Sequence, residues 1–113
     1  MNFHKKLIKL LKQTRPRLAI TYRLEFKRCF GAVAGYIDNH IFISCGKFGV
    51  ALRLPPEVLD KLFKEKDVKH LKYFPRGHIK KEYVVLPKRI LENMHQLKKI
   101  MDESIKYVLL NKK

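Results

Sequence analysis

Residues 24–54 alternate short apolar segments with turn signals, and this pattern constrains the fold more than any other feature of the chain. Alternating apolar and polar residues are typical of a strand with one buried side. Asp38 and Asn39 tolerate positive φ and favour a tight hairpin. The small residues of Gly31–Gly35 favour a bulge or a close approach of two backbones. We predict an antiparallel meander: a first strand from residue 24 that continues through the bulge to the hairpin at Asp38-Asn39, a return strand at 41–45 and a third strand at 50–54.

Three amphipathic segments accompany the meander. In residues 2–14, apolar side chains recur on one side of a helix at about 100° per residue, and Pro16 ends the pattern. Pro56 and Pro87 each suit the first position of a further helix, and residues 79–86 read as a strand after a short strand at Tyr73-Phe74. The prediction is a two-layer α+β sandwich in the order α-β(3)-α-β(2)-α. Its helices lie on one face of an antiparallel sheet, in a single domain over residues 1–113.

The charge of the chain is strongly positive. There are 26 Lys and Arg against 10 Asp and Glu, a formal net charge of +16. Residues 1–24 carry seven basic side chains and no acidic one, and residues 64–81 carry seven basic against two acidic ones. Such a surface attracts polyanions, although a lysine-rich surface also serves solubility alone. Both interpretations remain open from the sequence.

Two groups of residues are the candidates for contact with nucleic acid. The first lies opposite the leucines of the N-terminal helix, where it either meets phosphates or forms an ordinary solvated face. The second interleaves aromatic rings with cations, as in proteins that stack bases and track phosphate, although the same rings also suit a core or an edge strand. Because no recognition-helix signature is present, we predict that any duplex binding is mostly non-sequence-specific. The candidates are Lys5, Lys9 and Lys12 in the first group and Lys72, Tyr73, Arg76, Lys80 and Lys81 in the second.

The middle of the chain carries a motif of a basic residue, a Phe-Gly pair, a tyrosine, a hairpin aspartate and a strand phenylalanine, at Arg28, Phe30-Gly31, Tyr36, Asp38 and Phe42. This motif resembles the N-terminal domain of the TfoX/Sxy family of bacterial competence regulators. The family carries a basic residue, a Phe-Gly pair, an Asp-type hairpin and a Phe-containing strand. The third strand at residues 50–54 and the segment 83–87 resemble it as well. The matching motif residues, which we interpret as structural, are Arg28, Phe30, Gly31, Tyr36, Asp38 and Phe42.

This resemblance implies the same order of elements and a role in regulating genes for DNA uptake. It transfers no settled biochemical activity. The helical C-terminal domain of full-length members is expected to be absent, because 113 residues leave no room for it.

No motif for catalysis or for metal binding is recognisable in the sequence. It contains no nucleotide-binding or hydrolase motif, and its five histidines are scattered without metal-ligand spacing. We therefore predict no catalytic residue, no metal and no cofactor. Cys29 and Cys45 are expected to be reduced thiols in a cytoplasmic protein, since neither a signal peptide nor a membrane-spanning run is recognisable.

Two functional hypotheses follow. The first is a small regulatory or adaptor domain, not an enzyme, that contacts nucleic acid or a nucleic-acid-bound protein through its basic surface. The second is a protein-interaction module whose lysines serve only solubility, using an exposed sheet edge or forming a homodimer. A membrane partner is not expected.

Overall fold

A computed structural model describes residues 2–29, 31–72 and 77–110, with the side chain of Cys29 excepted. Within these residues two helices precede four strands, and one helix, two strands and two helices follow. The helices are α1 (Phe3–Thr14), α2 (Leu18–Thr21), α3 (Pro56–Leu62), α4 (Lys88–Leu91) and α5 (Met94–Leu110). The strands are β1 (Leu24–Cys29), β2 (Ala32–Ile37), β3 (His40–Gly46), β4 (Gly49–Arg53), β5 (Lys69–Leu71) and β6 (Lys80–Leu86).

The strands make one six-stranded sheet in the order β1-β2-β3-β4-β6-β5, and every neighbouring pair is antiparallel. Helix α1 packs on β2 and β3, α5 packs on β3 and β4, and α3 packs on β6. The described part of the chain is therefore an α+β fold, which confirms the predicted class.

The helices cover one side of the sheet. Leu52 and Val84 belong to the main core together with residues of α1, α3 and α5. Their strand neighbours Ala51 and Val85 point the opposite way, because successive residues of a strand alternate in direction. They join a second cluster with Leu71, to which no helical residue of the described ranges belongs. The helices thus cover one side of the sheet, and the second cluster lies on the other side.

The structure has four strands before α3, one more than the sequence predicts. Gly31 adopts φ +77°, and the chain turns back there, so residues 24–37 become the hairpin β1–β2. Gly35 is close to a side chain, since a Cβ atom there would lie 2.7 Å from Cγ2 of Ile43. The pairing of β2 with β3 shifts between Gly35 and Tyr36, which is the predicted bulge.

The hairpin between β2 and β3 follows the sequence closely. Asp38 and Asn39 have φ values of 47° and 69°, as expected for a tight turn of residues that tolerate the left-handed region. Asp38 also holds the start of β1. Its Oδ1 accepts a hydrogen bond from the backbone N–H of Arg23 at 3.0 Å, and its own N–H donates to the Arg23 carbonyl at 2.9 Å.

The C-terminal half departs from prediction at its short elements. Strand β5 lies at Lys69–Leu71, in a stretch that reads as a charged connection, because only Leu71 of its three residues is buried. The strand predicted at Tyr73-Phe74 falls outside the described residues. The helix predicted from Pro87 onward is divided into the single-turn α4 and the long α5.

Gly31 should tolerate a side chain poorly because of its backbone conformation alone. No described atom other than those of its chain neighbours lies within 4 Å of a Cβ built there. We expect Gly31→Ala to lower the free energy of unfolding by about 1 kcal/mol in urea titrations. Gly31→Asn should lose less, because asparagine enters the left-handed region more readily. Equal stability of the alanine variant and the parent would contradict this.

Two buried serines should respond oppositely to replacement by alanine. The Oγ of Ser44 is fully buried and has no hydrogen-bond partner among the described residues, whereas Ser104 Oγ donates to the Phe42 carbonyl at 3.2 Å. Ser44→Ala should raise the free energy of unfolding by about 1 kcal/mol, and Ser104→Ala should lower it by about as much. Calorimetric melting of both variants tests the pair. A loss at Ser44 equal to that at Ser104 would be inconsistent with this account.

Candidate nucleic-acid interface

Helix α1 is fixed at both ends by its own sequence. The side-chain oxygen of Asn2 accepts a hydrogen bond from the backbone N–H of Lys5 at 3.0 Å and caps the first turn. Leu7 and Leu11, one turn apart, are buried against the sheet. The helix ends at Thr14, before Pro16, as the fixed ring of proline requires.

The side of α1 that faces away from the core is basic. Lys5, Lys9 and Lys12 are exposed and line one shallow depression together with Ile8 and Gln13. The helical spacing predicts this shared orientation, since residues three and four apart lie on one face. We call these three lysines the basic face of α1.

The ion pairs of the described residues leave this charge uncompensated. Each of these pairs uses an arginine, and none of them includes a lysine of the basic face of α1. The acidic residues that they occupy are half of the ten in the chain. The ion pairs are Arg15–Asp102, Arg23–Glu25, Arg53–Glu82, Arg89–Glu65 and Arg89–Asp67.

Several of these pairs join elements of the fold. The hydroxyl of Tyr107 on α5 donates to Glu82 on β6 at 2.7 Å and, with help from Arg53, holds the pKa of Glu82 below its usual value. The same bond raises the pKa of Tyr107. At α4, Arg89 bonds Asp67 and Glu65 at 2.7 Å each, which lowers the pKa of Asp67. The first contact ties α5 to β6, and the second ties α4 to the segment between α3 and β5.

The second group of candidates lies elsewhere on the molecule. Lys72 follows β5, and Lys80 and Lys81 begin β6, so strand pairing places these three exposed lysines at one end of the β5–β6 hairpin. We call them the second basic surface. Tyr73 and Arg76 lie outside the described residues. Because β4 separates β6 from β3, on which α1 packs, the backbones of β3 and β6 lie about 10 Å apart.

Sequence reasoning missed one contributor near α1. Arg17, between α1 and α2, is exposed and lines a cavity of about 300 Å³ with Arg15 and Pro16. A neighbouring groove of about 200 Å³ joins Arg15 to Lys12. The basic surface therefore continues past the end of α1. The absence of acidic residues from positions 1–24 is the signal that would have found it.

The motif residues of the predicted resemblance lie in or beside the three N-terminal strands. Phe42 is fully buried in the main core, and its carbonyl receives the bond from Ser104. The ring of Tyr36 lies 4.8 Å below the ammonium of Lys27. Arg28 is exposed on β1. Phe30 lies outside the described residues.

Asp38 and Gly31, the remaining motif residues, form the two turns described above. The interpretation of the motif residues as structural stays a prediction.

Other chemistry is not assembled in the described residues. Over residues 2–29, 31–72 and 77–110, no group of three His, Cys, Asp or Glu side chains is placed to hold a metal ion. Cys45 is a free thiol whose pKa is raised by burial, which opposes reactivity. None of the described helices is long and apolar enough to cross a membrane.

Comparison with protein families gives one finding. The model of the TfoX N-terminal domain matches residues 17–108, which is most of the chain but begins after α1. Comparisons with curated proteins and with solved structures yield no significant match. The matched region includes all six strands and the motif residues that carry the resemblance. This chain belongs to the TfoX N-terminal domain family.

Proposed function

We propose that this chain is a cytoplasmic regulatory or adaptor domain without catalytic activity that contacts nucleic acid, or a protein bound to nucleic acid, through the basic face of α1. Its family supports a regulatory role connected with competence. The observation that carries the contact is the set of three exposed lysines, on one helix face, that no described ion pair neutralises.

The charges of α1 favour it over α5, the other long helix, as the contact for nucleic acid. Residues 1–24 contain no acidic side chain, so nothing within α1 opposes the approach of a phosphate. On α5, Lys98, Lys99 and Lys106 are interspersed with Asp102 and Glu103. A polyanion near α5 therefore meets charges of both signs.

The contact should depend on charge more than on base sequence. Lysine binds phosphate as a mobile point charge, and α1 presents no array of side chains for reading base edges. Neutralising three phosphates gives a slope of log affinity against log salt of about −2.7 on duplex DNA. The second basic surface, extended in sequence by Tyr73 and Arg76, would add contacts to a ligand long enough to reach it.

A triple substitution separates the proposed contact from general positive charge. Lys5→Gln, Lys9→Gln and Lys12→Gln together keep helix propensity and leave Leu7 and Leu11 in place. We expect affinity for duplex DNA to fall by more than tenfold at low salt, and the salt slope to become shallower by about 2–3. Fluorescence anisotropy titrations with two unrelated DNA sequences should show the same loss for both.

The matched control is Lys98→Gln, Lys99→Gln and Lys106→Gln. It removes the same charge from exposed positions of another helix, and its binding should stay close to that of the parent. If both triple variants lose affinity equally, only net charge matters and the assignment to α1 is wrong. If the parent does not bind at low salt, the rival protein-interaction module takes its place.

A further inference from the structure

The two edges of the sheet differ in what they offer a partner. Strand β5 has three residues, and its pairing with β6 shifts between His70 and Leu71. Strand β1 has six residues and pairs with β2 in continuous register. A long regular edge is a template for another strand, because half of its peptide groups have no partner within the sheet.

The hydrogen bond between Asp38 and Arg23, at the start of β1, shows which peptide groups of this strand face away from the sheet. The N–H of Asp38 donates to the carbonyl of Arg23, so the peptide groups of alternate residues from Arg23 onward face β2. The residues between them turn their N–H and C=O groups away from the sheet. These outward residues are Leu24, Phe26 and Arg28.

We propose that β1 pairs antiparallel with β1 of a second copy of this chain, about a two-fold axis at Phe26. The two Phe26 residues then form a hydrogen-bonded pair, and Leu24 of each copy forms one with Arg28 of the other. All three outward residues of each strand are used. The result is a continuous sheet through both copies.

The charges on β1 select this register. With the axis at Phe26, each Glu25 lies opposite Lys27 of the other copy, in a non-hydrogen-bonded pair where side chains approach most closely. Moving the axis by one residue keeps outward groups paired but places Glu25 against Glu25, or Lys27 against Lys27. Of these three registers, only the one centred on Phe26 makes two opposite-charge pairs between Glu25 and Lys27.

Apolar surface beside β1 favours the same contact. Phe26 lies on the helix-covered side, with its ring centroid 4.9 Å from that of His4. Leu24 and Phe26 are half-buried and line the groove of about 200 Å³ together with Ile8 and Leu11 of α1. The second copy would cover this exposed remainder. Because the two-fold axis is perpendicular to the sheet, both α1 helices lie on one side of the dimer.

Charge reversal tests the register directly. Glu25→Lys and Lys27→Glu each place like charges opposite one another in a homodimer, so each variant alone should sediment at the monomer mass of 13.5 kDa. An equimolar mixture of the two restores opposite charges at every pair and should form a heterodimer of twice that mass. The parent and the double variant Glu25→Lys/Lys27→Glu should both dimerise. The measurement is sedimentation velocity at about 0.15 M salt. At this concentration the Debye length is about 8 Å, so salt screens the repulsion between the two basic copies.

Removing one outward N–H group of β1 gives a second test, which does not use charge reversal. Arg28→Pro removes an outward N–H and keeps the bonds of β1 to β2, so it should give a folded monomer by circular dichroism. Arg28→Ala removes the same side chain, keeps the N–H and should remain dimeric. A parent that is monomeric at all concentrations overturns the proposal, as does a dimer indifferent to the charge reversals. The dimer does not rest on nucleic-acid binding, so either proposal can fail without the other.

Discussion

Burial of the apolar sides of α1 and α5 against one side of the sheet determines where the charge of this chain is placed. Leu7 of α1 and Leu97 and Met101 of α5 are fully buried there. Each helix is thereby held in one rotation about its axis. For α1, that rotation turns Lys5, Lys9 and Lys12 outward together. The basic face is a direct consequence of core packing.

The acidic residues of the described ion pairs hold elements of the fold together and lie outside the basic face of α1. Asp102 holds Arg15 beyond the end of α1, Glu82 joins β6 to α5 through Tyr107, and Asp67 fixes α4 through Arg89. Arginine suits such contacts because its planar group bonds a carboxylate at two positions. The lysines of the basic face of α1 take no part in the described ion pairs, so their charge stays available.

Much of this architecture is predictable from local patterns. The spacing of leucines and lysines predicts α1 and its basic face, and Asp38-Asn39 predicts the hairpin. Strand β2 is not predicted as a strand separate from β1, because Ala32, Val33 and Ala34 are all buried and the alternation that marks a strand is absent there. Strand β5 and the single-turn helices are too short for periodicity to detect. The separation of the two basic surfaces depends on β6 lying between β4 and β5, an order that no local pattern specifies. The same holds for the long-range partners of Arg15 and Arg89.

The central claim is that core packing makes one face of α1 the polyanion contact of this domain. The most direct measurement is a titration of ¹⁵N-labelled protein with a short duplex DNA, followed by amide chemical shifts at low salt. We predict that the largest shift changes cluster in α1 between Lys5 and Gln13, and that they reverse on addition of salt. Shift changes concentrated on α5, or spread evenly over all exposed lysines, would contradict the claim.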